Sequence, residues 1–178
     1  MDKGQTTQQT KISTKDLVLT GLLTAIVFSA TMFINIRLPI SINGGLIHMG
    51  NIALFLTAFL FGKKKGAIAG AFGIGLFDIL SGWTAWAPFT FVIRGVMGYV
   101  IGSISHANNK EGVNALYNII AIILGGIWMI GGYYLTEVIL YGNWMTPVTS
   151  IPGNIVQIVF GCLSIILAPM LKKAIKHF

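Results

Sequence analysis

Six apolar runs follow one another along this chain, at roughly 16–36, 45–61, 66–82, 86–104, 113–141 and 153–174, with only short polar links between them. Repeated runs of this length leave few options. About 20 apolar residues in a helix match the roughly 30 Å hydrocarbon of a bilayer. Lipid also tolerates only backbone whose hydrogen bonds close on themselves. Each run is therefore predicted to be a membrane-spanning helix. The expected fold is all-α: a six-transmembrane-helix integral membrane protein, a single compact bundle over residues 15–178 after a disordered cytoplasmic N-terminus at 1–14. Runs two and three are short and share the turn GKKKG at 62–66, which reads as one transmembrane hairpin. Run five is long enough to tilt or protrude. Composition agrees, because only 10% of the 178 residues are charged, whereas a soluble domain carries about 25%.

The net charge of +7 could suggest nucleic acid, but the placement of the lysines argues for topology instead. Lys3, Lys11, Lys15, Lys63, Lys64, Lys65, Lys110, Lys172, Lys173 and Lys176 all lie between the apolar runs, outside them or, for Lys172 and Lys173, at the very end of the last. Six spans put all of these on one side, together with both termini. The other side receives NIRLPISINGG, SGWTAW and YGNWMTPVTSIPG, whose only full charge is Arg37. Lysine and arginine accumulate on the cytoplasmic face, so both termini are expected in the cytoplasm of a multi-pass protein of the cell membrane. Residues 1–14 lack a signal-peptide layout. The single Cys162 excludes an internal disulfide.

Polar residues inside the runs share one depth. Run two carries His48 and Asn51, three apart and on one helical face; run three carries Asp78 near its outer end. Run four stacks Trp86, Thr90 and Arg94 at intervals of four, and run five does the same with Tyr133, Glu137 and Tyr141. Run six opens with Asn154 and Gln157. Such residues are costly in lipid and face a cavity or a partner. Together they describe a cup open to the outside and closed below. A channel or proton-coupled carrier needs polar groups along its whole path, and apart from Asp16 at the very start of run one the inner halves offer no acid, histidine or arginine. Simpler roles remain open for each group. Asp78 and Arg94 could form a structural ion pair, Asn154 could cap the last helix, and Trp83, Trp86, Trp144 and Tyr141 could form an interfacial aromatic belt.

Small residues recur too. Gly21, Ala25 and Ser29 form a ridge on run one; Gly66, Ala69, Gly70 and Gly73 form one on run three, and Gly98 with Gly102 on run four. Such ridges let helices approach closely, within the bundle or against another protein. There is no phosphate-binding G-x-x-x-x-G-K-[ST] loop, no nucleophile elbow and no zinc signature. The chain is thus expected to be neither an ATPase nor another enzyme, with no catalytic residue, cofactor or metal.

The stretch LPISINGGLIHMGNIALFLTAFLFGKKKGAIAGAFGIGLFDILSGWTAWAPFTFVIRGVMGYVIG, residues 38–102, resembles the substrate-binding S components of energy-coupling factor (ECF) vitamin transporters, of the riboflavin-type family. That resemblance implies capture of a small vitamin at the outer face and docking on a separate transmembrane coupling subunit driven by two ABC ATPases. It also implies toppling in the bilayer for delivery. The family docks through Ala-x-x-x-Ala on its first helix, and the matching ridge here is Gly21, Ala25 and Ser29. The lid would be RLPISINGGL. The expected ligand shell is His48, Asn51, Asp78, Trp83, Trp86, Thr90, Tyr133, Glu137, Asn154 and Gln157, with Arg94 bracing Asp78. Similarity is greatest to the branch for hydroxymethylpyrimidine or pyridoxine, with pantothenate and riboflavin as alternatives. A self-sufficient secondary transporter and a ligand-free membrane scaffold are the competing functions.

Overall fold

The computed structural model describes residues 13–37 and 46–176. The expected N-terminal tail (1–12) and most of the expected lid (38–45) lie outside the described residues. The described chain is helical apart from one short ribbon. Helix α1 spans Thr14–Phe33, α2 Gly50–Leu80, α3 Ala87–Ser105, α4 Ala115–Tyr141, α5 Ile151–Gly161 and α6 Leu163–Ile175. Between α1 and α2, β1 (Asn35–Arg37) pairs antiparallel with β2 (Leu46–His48) in the register Asn35 to His48 and Arg37 to Leu46.

Four stretches are individually long and apolar enough to cross a membrane: α1, α3, α4, and the span 146–175 that joins α5 to α6. The predicted hairpin of runs two and three is found inside α2. Gly62 there has φ 81° and ψ −177°, a conformation open to glycine but not to other residues. It reverses the chain within one residue. A Cβ on Gly66 would lie 2.8 Å from that of Ala58, so the two arms, 50–61 and 63–80, run back along each other. The predicted five-residue turn is thus tighter than expected, and Lys63 to Lys65 already belong to the returning arm.

Two further expectations change. Run two was expected to be helical from residue 45, but His48 lies on β2 and α2 starts at Gly50. The ribbon with β1 takes the backbone hydrogen bonds of residues 46–48 that a helix would have used. The last run is interrupted at Cys162, and Ser150 is the N-cap of α5, so Asn154 sits one turn inside that helix and does not cap it.

Ion pairs tie one end together. Lys65 Nζ reaches Asp16 at 2.6 Å, joining the α2 turn to the start of α1, and Lys172 Nζ lies 3.7 Å from Glu111, joining α6 to the loop after α3. This lysine-rich end therefore carries the Gly62 turn, the 106–114 loop and both ends of the described chain. The opposite end carries the ribbon and the 81–86 and 142–150 links.

In lipid, apolar surface drives helix association weakly, and close backbone packing matters more. The α2 and α3 ridges meet this need: a Cβ on Gly98 would overlap the backbone at Gly66 and Ala67. Gly98→Val should therefore overpack the interface and lower stability by about 1–3 kcal/mol. Gly131→Ala, where a Cβ meets nothing within 4 Å, should leave the melting temperature in detergent unchanged. Equal melting temperatures for both variants would refute this packing.

Candidate binding site

At the ribbon end the helices diverge around one cavity, with about 610 Å³ of atom-free space when its open mouth is counted. β2 contributes Leu46 and His48, and the second arm of α2 contributes Ile74 and Asp78. Trp83 comes from the following link. Trp86, Thr90 and Arg94 come from the start of α3, where spacing by four turns all three to one side. Tyr133 and Glu137 come from the last turns of α4, and Ser150, Gly153, Asn154 and Gln157 from the start of α5.

Arg94 forms the floor. It is only 2% exposed, and its fork reaches three other segments. Nε donates to Tyr133 Oη at 3.0 Å, Nη1 to Asn51 Oδ1, and Nη2 to Gln157 Oε1 at 3.3 Å. His48 Nε2 stands 3.5 Å from Nη2, and the sulfur of Met129 lies 2.9 Å from Nη1. The guanidinium carbon also lies 5.1 Å from the centroid of the Tyr133 ring, a cation–π geometry. Gln157 Nε2 donates to Leu46 O at 2.7 Å, so the same network grips the ribbon.

The expected Asp78–Arg94 ion pair is not formed. Among the described residues the ion pairs are Lys65–Asp16 and Lys172–Glu111. The two charges are instead linked through hydroxyls. Tyr133 Oη, accepting from Arg94, lies 3.2 Å from Thr90 Oγ1, and Thr90 stands beside the Asp78 carboxyl. The reason is geometric: the Arg94 donors are taken by neutral acceptors at the cavity floor, and Asp78 stands higher on the wall. Across the cavity, Ser150 Oγ donates to Glu137 Oε2 at 2.9 Å. Both carboxylates are buried, Asp78 at 8% exposure and Glu137 at 3%.

Aromatic rings line one side. Trp86 lies 6.4 Å from Trp83, 6.3 Å from Tyr133 and 6.2 Å from Tyr141 between centroids. Below Arg94 the bundle closes with Leu54, Phe55, Ala58, Met97, Ile101, Ile122 and Met129, all buried. The site thus combines flat rings, two carboxylates and an amide-rich floor in a cup that stands on buried apolar residues. It suits a small flat solute that offers hydrogen-bond donors.

Of the residues singled out in the sequence, His48, Asp78, Trp83, Trp86, Thr90, Arg94, Tyr133, Glu137, Asn154 and Gln157 line this cavity. Asn51 lies beneath it and holds Arg94. Ser150, Gly153, Leu46 and Ile74 line it as well and were not anticipated. Ser150 directly precedes Ile-Pro-Gly-Asn, the start signal in which Asn154, not Ser150, was expected to cap the helix. Ser150 makes no side-chain cap bond and turns to Glu137. The ridge of Gly21, Ala25 and Ser29 does not line the cavity and lies on the outer face of α1. Gly21 and Ala25 are exposed, Ser29 is half-buried, and a Cβ on Gly21 would meet nothing within 4 Å.

Comparison with known proteins gives the lineage. A Pyrococcus woesei protein known as "Uncharacterized protein in gap 3'region" is 36% identical over 128 residues, 72% of this chain and 82% of that protein. The thiamine precursor transporter HmpT of Lactococcus lactis subsp. cremoris (strain MG1363) is 28% identical over 160 residues, 89% of each chain. The family described as "ECF-type riboflavin transporter, S component" matches residues 11–177. A cup formed by membrane-spanning helices, with none of the ATPase or catalytic motifs sought in the sequence, fits that match. The chain belongs to the family of ECF-type riboflavin transporter S components, membrane transport proteins and not enzymes.

Proposed function

We propose that this chain captures a small water-soluble vitamin in the cavity at its ribbon end and delivers it inward with a separate ATP-driven ECF module. In this reading the cavity opens outside the cell and the lysine-rich end lies in the cytoplasm, with both termini. The arms of α2 then make two of six crossings. The observation that carries the proposal is the cup itself: two buried carboxylates and clustered rings above a floor closed by hydrocarbon. Hydroxymethylpyrimidine, a thiamine precursor, is the substrate favoured, and pyridoxine is the second choice. The HmpT relative supports the first, and both are small heteroaromatics with hydroxyl donors. Riboflavin is larger. Pantothenate is an acid and would need a free cation, whereas Arg94 is occupied by neutral partners.

Native mass spectrometry of the detergent-purified chain tests this. A co-purified pyrimidine or pyridine is expected; a nucleotide, a lipid alone or an unrelated metabolite in the cavity would reject it. Glu137→Ala should weaken binding by roughly 1–3 kcal/mol, since a buried ligand donor loses its acceptor. Calorimetry reads this as about a 5- to 150-fold rise in Kd. An unchanged Kd would remove Glu137 from the ligand shell. Uptake into liposomes by the purified chain alone would point to a self-sufficient carrier.

A further inference from the structure

The lysine-rich end carries a second groove, between the Gly62 turn and the end of α3. It is open to the outside of the bundle, and its lining includes Gly62, Lys63, Gly102, Ser103 and His106. Its formation follows from the backbone. A Cβ on Gly102 would collide with the backbone of Lys63, so α3 and the turn touch without intervening side chains. That contact brings Lys63 beside one stripe of α3: Tyr99, Ser103 and His106, spaced four and three apart. Lys63 Nζ stands 5.3 Å from the Tyr99 centroid, and that ring is 47% exposed on the outer face of the bundle.

The polar groups of this groove are unsatisfied. Ser103 Oγ and His106 Nδ1 are buried atoms with no hydrogen-bond partner among the described residues. Buried donors and acceptors are nearly always paired, and an exception calls for a missing water, ion or ligand. The surroundings specify its sign. Lys65 and Lys172 are matched by Asp16 and Glu111, while Lys63 and Lys64 enter no ion pair among the described residues. Desolvation, with the Lys172 ammonium second, lowers the His106 pKa. The ring therefore enters as a neutral hydrogen-bonding group, and the lysines supply the charge.

We propose that this groove seats the phosphate of an acidic phospholipid headgroup, with Lys63 supplying the charge and Ser103 and His106 donating hydrogen bonds. A phosphodiester offers one negative charge and two free oxygens, which matches this donor set. Tyr99 marks the depth, because tyrosine rings settle at the headgroup level and the acyl chains can then run along the exposed face of α3. Basic pockets between helices recognise anionic headgroups in this way. The site is separate from the vitamin cavity and does not depend on the substrate reading.

The test is native mass spectrometry of the full chain in detergent with phosphatidylglycerol or phosphatidylcholine of matched acyl chains. Phosphatidylglycerol is expected to be retained about fivefold more, the effect of one lysine at such a surface. Lys63→Ala should bring retention to the phosphatidylcholine level, and Lys173→Ala at the same end should leave it unchanged. His106→Gln and Ser103→Ala, each a small change at the bundle end, should also reduce the preference and serve if Lys63→Ala unfolds. Equal retention of the two lipids would overturn the proposal, as would equal losses for Lys63→Ala and Lys173→Ala, which indicate diffuse charge. Millimolar inorganic phosphate should not displace the lipid; full displacement would assign the groove to a soluble phosphate and overturn the lipid source.

Discussion

Arg94→Leu is expected to lower the melting temperature of the purified protein by on the order of 10 °C. The side chain is 2% exposed and hydrogen-bonds Tyr133, Asn51 and Gln157, which lie on α4, α2 and α5. A single interhelical hydrogen bond in a membrane averages only about 0.6 kcal/mol, so one lost contact would be barely visible. Here one substitution strands three acceptors at a site sealed from below, each costing about 1–3 kcal/mol if left unpaired. The sum is discounted because the fork also loses its own desolvation cost, leaving about 3–5 kcal/mol, the range for breaking a buried charged network. Arg94→Lys keeps the charge but not the planar fork and should fall between. An unchanged melting temperature for Arg94→Leu would mean that the floor is held by packing alone.

Ala25→Trp is expected to abolish vitamin uptake in cells that supply the ECF module while leaving vitamin binding intact. Ala25 and Gly21 are exposed on α1, and a Cβ on Gly21 would meet nothing within 4 Å. Leu23, Val27 and Thr31 point into the bundle from the opposite side of that helix. An indole at 25 therefore adds bulk outside the fold, where lipid can accommodate it and a docking helix, on the proposed reading, could not. The readout is paired: radiolabelled uptake in cells and Kd of the purified chain. Full uptake would deny the ridge a docking role, and a Kd changed by more than about twofold, within the range of a minor repacking, would show that the substitution reaches the cavity instead.

The architecture was legible where one physical demand dominates. Unbroken apolar runs and lysines confined to their ends have few solutions in lipid, and the helices over α1, α3 and α4 follow them. The spacings of Trp86, Thr90 and Arg94 and of Tyr133 and Glu137 also identified residues that share a cavity, because a helix maps intervals of four onto one face. The sequence could not show how Arg94 is satisfied. Its oxygen acceptors lie 39 to 63 positions away, and opposite charges at similar depth suggested a pair where Tyr133 and Thr90 intervene. His48 shows a different limit. An apolar neighbourhood reads as helix, but a three-residue ribbon with β1 claims its backbone. Ser150 carried no signal of its own in the sequence: it ends a polar link, and only the fold turns its hydroxyl to Glu137, 13 positions away.

Isothermal titration of the purified chain with hydroxymethylpyrimidine, and in parallel with pyridoxine, bears most directly on the vitamin cup. Saturable binding of one molecule per chain to at least one of them is expected, weakened in Glu137→Ala and retained in Ala25→Trp. No saturable heat with either compound, from protein shown to be folded and free of co-purified ligand, would contradict the account.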